Sequence, residues 1–101
     1  MTDITEILGE LYECLDELDE LRDAELPIPS EDLEEWNAEF EDTLYMLSEA
    51  RDEDEDLDEE LSDAVRGLRD LIACYARYAM YSEALKRILK RIEELLDRFQ
   101  R

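Results

Sequence analysis

The stretch LIACYARYAMYSEAL, Leu71 to Leu85, decides the fold, because it sits in the middle of an apolar repeat that reads either as one helix or as two. The repeat alternates four and three residues through Leu57, Leu61, Ala64, Leu68, Leu71, Tyr75, Tyr78, Ser82, Leu85, Leu89, Ile92, Leu96 and Phe99. Unbroken, such a heptad pattern specifies a coiled-coil helix. About 43 residues at about 1.5 Å each would make a rod about 64 Å long, too long for one small globule. That rod must pair with a second copy or fold back. In the first case Leu68, Leu71, Tyr75, Tyr78 and Leu85 are the expected contacts of a homodimer. In the second, the cluster Tyr75, Tyr78, Ala79, Met80 and Tyr81, apolar all round if helical, suits burial at a turn.

The folded-back reading has residues of its own. Leu71-x-x-x-Tyr75 followed by Tyr81-Ser-Glu-Ala-Leu85 resembles the middle of a tetratricopeptide helical hairpin, in which a Tyr precedes the turn and Y-x-E-A-hydrophobic opens the second helix. Ile72 stands at the usual small-residue position, no glycine marks the turn, Arg91 replaces a packing Ala, and no second repeat follows. The likeness therefore implies a bend near Ala79 to Ser82 and not membership of the family.

Working toward the N-terminus, Asp3 with Glu6 three residues on has the form of a capping box. Ile4, Ile7, Leu8, Leu11, Cys14, Leu15, Leu18 and Leu21 then make a stripe broad enough for a core-facing helix. Leu26-Pro-Ile-Pro-Ser30 ends it, since a residue before proline is pushed out of the α region. Ser30 is the expected cap of a second helix with Leu33, Trp36, Phe40, Leu44 and Leu47 on its buried side. The expected fold is an all-α bundle in one domain: three helices if the C-terminal one is long and coiled-coil-like, four if the chain bends. The bend is preferred.

Composition narrows the function classes. With 45% hydrophobic residues the chain can build a core, yet 43% are charged and the net charge is −21. There is no histidine, Cys14 and Cys74 stand alone, and both read as buried small hydrophobes; no metal site or cofactor is expected. Gly9 and Gly67 sit singly inside helical patterns, no phosphate-binding or nucleophile-elbow motif occurs, and no enzymatic role is expected. The start MTDITEIL has no basic region before an apolar run, and no apolar stretch approaches the about 20 residues of a membrane span. A cytoplasmic protein is expected, one that anionic membranes repel.

The charge is divided. Residues 1 to 63 carry 27 carboxylates and only Arg22 and Arg51, a net −25, whereas residues 64 to 101 carry five carboxylates and nine bases, a net +4. On the first helix the acids crowd toward the C-terminus, where the macrodipole disfavours them. Charge placed to stabilise a helix would run the other way.

The run RDEDEDLDEE, Arg51 to Glu60, sharpens the question. Asp52, Asp54, Asp56, Asp58 and Asp63 fall at positions 1, 3, 5, 7 and 12 of an EF-hand loop, but Leu57 replaces the turn glycine and Asp63 the bidentate Glu. As a helix N-terminal turn the same acids are locally favourable. Neither reading explains the acids of the first two helices, which adaptation to high salt would also fit. A helix with carboxylates at i, i+3, i+4 and i+7 repeats negative charge about every 5 to 6 Å, close to phosphate spacing. In size and composition the chain resembles the small acidic DNA-mimic inhibitors that phages deploy against restriction and CRISPR enzymes.

The resemblance implies a basic nucleic-acid-binding protein or complex as partner and no direct contact with nucleic acid. Glu6, Glu10, Glu13, Asp16, Glu17, Glu20, Asp23, Asp52, Glu53, Asp54, Glu55 and Asp56 are the expected partner-binding residues, with Tyr12, Tyr45 and Trp36 as candidate apolar anchors. The rival reading is a homodimeric adaptor whose acids only solubilise it. The bases Lys86, Arg87, Lys90, Arg91, Arg98 and Arg101 are expected to pair with the chain's own acids.

Overall fold

The computed structural model of the chain describes residues 4–21, 27–53 and 57–99. Four helices follow one another: α1 (Ile4–Glu20), α2 (Ser30–Glu53), α3 (Leu57–Ala76) and α4 (Glu83–Phe99), with a 3-10 turn, Ala79–Tyr81, between the last two. The long C-terminal helix is thus replaced by a hairpin. Tyr78 N–H donates to Tyr75 C=O at 2.9 Å, Tyr81 N–H to Tyr78 C=O at 3.1 Å and Ser82 N–H to Ala79 C=O at 3.2 Å, which tightens the end of α3 into a turn. Ser82 is then extended (φ −151°, ψ 119°), and its Oγ accepts from Leu85 N–H at 3.2 Å, the side-chain cap that starts α4.

The repeat that suggested a coiled coil is part of a broader apolar face. Val65 and Ile72 on α3, and Ile88 and Leu95 on α4, lie off the four-three alternation and are buried. A helix with one partner needs only the narrow seam, but one lodged between two neighbours buries a wider stripe. Both helices have two neighbours: α3 touches α2 and α4, and α1 touches α2 and α4, so the four close a ring.

Contacts along each seam show every adjacent pair to be antiparallel. Thr5 meets Arg51 and Asp19 meets Asn37 between α1 and α2; Asn37 meets Tyr75 between α2 and α3. Arg69 meets Asp97 between α3 and α4, and Glu10 meets Arg98 between α1 and α4. The radius of gyration is 13.5 Å, against about 13 Å for a compact chain of this length. Leu68, Leu71, Tyr75 and Leu85, expected as dimer contacts along a continuous helix, are 0%, 6%, 0% and 1% exposed within the chain's own core, and Tyr78 is half-buried against it.

Several local expectations change. The cap at Asp3 lies outside the described residues. Ser30 is the first residue of α2 and not its cap, since Pro29 C=O already accepts from Leu33 N–H at 3.0 Å. On α2 the buried seam takes Asn37, whereas Trp36 flanks it, edge-on to Tyr75 with ring centroids 5.2 Å apart. Cys14 is buried but Cys74 is only half-buried. Among the described residues no helix is long and apolar enough to cross a membrane.

One polar chain crosses this core. Tyr75 Oη donates to Asn37 Oδ1, and Asn37 Nδ2 donates to Asp19 Oδ1 at 2.7 Å, so α3, α2 and α1 are tied at one level. A buried side chain with several donors and acceptors is satisfied in one register only, which selects that register over slipped packings. Asn37→Leu strands the Tyr75 hydroxyl and is expected to cost about 1–3 kcal/mol in urea unfolding. Asn37→Leu with Tyr75→Phe is expected to cost less than the sum of the two single changes. Ser82→Ala is expected to cost about 0.5–2 kcal/mol, the loss of one helix cap.

Candidate functional site

The bundle sorts the charge by helix. Helix α1 carries seven carboxylates and no base, α2 ten carboxylates and Arg51, α3 five against two arginines, and α4 four against five bases. Since α1 and α2 are neighbours, net charges of −7 and −9 lie side by side, and α4, at +1, packs chiefly against α1 and α3.

The expected α1 site residues are divided between two flanks. Toward α4, Arg98 Nη1 reaches Glu10 Oε2 at 3.1 Å, and Arg91 Nη2 lies 3.1 Å from Glu13 Oε2 and 3.6 Å from Glu10 Oε1. Glu17 and Glu20 line an open groove of about 570 Å³ with Arg87 and Arg91 on its other side. Glu10 and Glu13 thus serve the bundle's own α1–α4 seam; of the bases expected to pair within the chain, Arg91 and Arg98 do so there and Lys86 pairs with Glu83 at 3.3 Å. Glu6 and Asp16 are exposed, and neither holds an ion pair among the described residues. Asp52 is exposed and pairs with Arg51 at 3.1 Å. Asp23, Asp54, Glu55, Asp56 and the side chain of Glu53 lie outside the described residues.

The other flank of α1 faces α2, and here tyrosines stand among acids. Tyr12 is 36% exposed and Tyr45 60%. Burial raises the Tyr12 hydroxyl above its ordinary value, and the fields of Glu41 and Tyr45 raise it further. Asp16 is one turn beyond Tyr12 and Glu41 one turn before Tyr45; Glu35 and Asp42 are also exposed. Apart from Asp52 and Glu53, the acids of α2 are absent from the expected partner-binding residues. Summing charge over each expected helix, rather than looking for the densest run, would have found them.

The calcium-loop positions Asp54, Glu55 and Asp56 lie outside the described residues. Of the other positions, Asp52 and Glu53 close α2, and residues 57–63, with Asp58 and Asp63, open α3. Among the described residues no cluster of potential ligands is placed to hold a metal.

Cys14 is the remaining reactive group near the acids. Burial pushes its thiol up to about 11, against a smaller opposing pull from Arg91, so it holds its proton at neutral pH and is a packing residue rather than a nucleophile. No protein-family model, no curated protein and no solved structure matches the chain.

Two solution properties follow from this electrostatic arrangement. The folded state keeps the Cys14 proton that the unfolded chain releases near its ordinary pKa of 9.0, so that contribution to stability is whole below pH 9 and is lost as pH rises toward about 11. Buried Tyr75 acts in the same direction above its ordinary 10.0. Urea midpoints read by Trp36 fluorescence are expected to fall across this window, less steeply in Cys14→Ala. Added sodium chloride is expected to raise the melting temperature, because screening shortens from about 10 Å at 0.1 M to about 3 Å at 1 M and relieves the α1–α2 repulsion.

Proposed function

We propose that the α1–α2 face occupies a basic nucleic-acid-binding groove of another protein and blocks it. The observation that carries this reading is the adjacency of the two most acidic helices, with Tyr12 and Tyr45 exposed among their carboxylates. Proteins grip nucleic acid chiefly through Lys and Arg aimed at regularly spaced phosphates. Two packed helices offer such a groove a rigid negative surface, with less ordering entropy to lose than a disordered acidic tail. The aromatic side chains add apolar contact of the kind that dominates interface energetics.

The phage-encoded inhibitors of restriction and CRISPR complexes, which the composition resembles, are the class proposed. The adaptor reading is weaker, because its apolar stripe would have to leave the core to meet a second copy.

The experiment is capture from a bacterial lysate at about 0.05 and about 0.5 M salt, followed by challenge with duplex DNA. Proteins held by the wild-type chain are expected to be released by DNA and by salt. A variant with Asp16, Glu35, Glu41 and Asp42 changed to Lys is expected to retain none of them, chiefly through slower association. It should remain folded, since none of the four holds an ion pair among the described residues. Retention by that variant, or failure of DNA to displace what is bound, would refute the proposal. Glu10→Lys and Glu13→Lys report something different: they set a cation beside Arg98 and Arg91 and are expected to weaken the α1–α4 seam.

A further inference from the structure

Between α2 and α3 lies a small open cavity of about 140 Å³, lined by Met46, Leu47, Glu60, Asp63, Ala64 and Gly67 among others. Leu47 is 1% exposed and forms its base, whereas Met46 is 57% exposed and stands at its rim. Its volume suits one long side chain, not a drug-sized ligand, whose pockets run to about 300–1,000 Å³.

Two features of the cavity run against stability. Gly67 lies inside α3, where glycine costs about 1 kcal/mol relative to alanine. Nothing lies within 4 Å of where a Cβ would project, so packing does not require the glycine. Met46 meanwhile leaves a large apolar side chain in water. Glu60 and Asp63, one turn apart on α3, stand over this apolar base with no ion pair or hydrogen-bond partner among the described residues.

We propose that the cavity is a receptor slot for an arginine side chain of a basic partner protein. The aliphatic stem would lie on Met46, Leu47 and Ala64, in the space Gly67 leaves open, as long cationic side chains cover apolar surface. The guanidinium then meets the Glu60 and Asp63 carboxylates, and its planar fork suits two acceptors better than an ammonium does. The class of partner rests on the proposed function; the slot rests on its own geometry. It lies on the α3 side of α2, beside the α1–α2 face, and adds there a position that selects shape as well as charge.

The test is titration of the isotope-labelled full chain with the capped peptide acetyl-Gly-Arg-Gly-amide and its citrulline counterpart, followed by nuclear magnetic resonance. Saturable shifts are expected at the Met46 methyl, Ala64 and Gly67 with the arginine peptide and not with the citrulline one. Gly67→Leu alters no charge and favours the helix, and it is expected to weaken binding by about tenfold or more. Gly9→Leu, the same change at an exposed position of α1 with equally open space, is expected to leave binding unchanged. Glu60→Gln with Asp63→Asn is expected to weaken it by roughly three- to tenfold. Equal affinity in Gly67→Leu, or shifts spread evenly over the α1–α2 carboxylates, overturns the slot. If that happens while DNA-displaceable capture persists, the slot alone is wrong and the acidic-face proposal stands.

Discussion

The reversal of the chain between Ala76 and Glu83 is the constraint on which the rest depends. It consists of a few hydrogen bonds: the tight turn through Tyr78 and Ala79, and Ser82, which serves Leu85 N–H with its hydroxyl and Lys86 N–H with its carbonyl. Without it α3 and α4 would be one rod whose apolar stripe could not be buried within a single bundle. With it α4 returns beside α1, the ring closes over the core, and Arg91 and Arg98 come to Glu10 and Glu13. Arg91 and Arg98 are thus drawn to one flank of α1, and among the described residues the charged groups of α1 and α2 are otherwise carboxylates and Arg51.

Why such a surface folds at all is a matter of magnitudes. Like-charged neighbours one turn apart on a helix cost a few tenths of a kcal/mol each, and exposed ion pairs such as Arg91 with Glu13 return at most about 1 kcal/mol. Full burial of a leucine- or phenylalanine-sized side chain is worth about 1.5–3 kcal/mol, and 22 apolar residues are buried among the described residues. The core outweighs the repulsion, so carboxylates accumulate on α1 and α2 without unfolding them. The Asp19–Asn37–Tyr75 chain contributes register: a uniformly leucine-rich core packs in several slipped arrangements, but only one satisfies that tyrosine.

Much of this was legible in the residues. The α1 stripe from Ile7 to Leu18 is buried as its spacing requires, and the bend falls where Tyr81-Ser-Glu-Ala-Leu85 placed it. The partners of the C-terminal stripe were harder to read, because a four-three alternation is common to a coiled coil and to a bundle; the off-seam apolar residues Val65, Ile72, Ile88 and Leu95 distinguish the two. Asn37 and the α1–α4 ion pairs join residues 18 to 88 positions apart, and no local pattern announces such pairs. For the same reason Glu10 and Glu13 looked available from sequence and are engaged in the fold.

Folding back on itself makes the chain self-sufficient, and that can be measured directly. Sedimentation equilibrium combined with small-angle X-ray scattering, at moderate salt, reports mass and longest dimension together. A 12.0 kDa particle is expected, with a longest dimension near the 41 Å extent of the bundle once side chains and hydration are added. A particle of twice that mass, reaching about 64 Å or more, would mean that α3 and α4 run on as one helix in a dimer, and would contradict the fold and the acidic face derived from it.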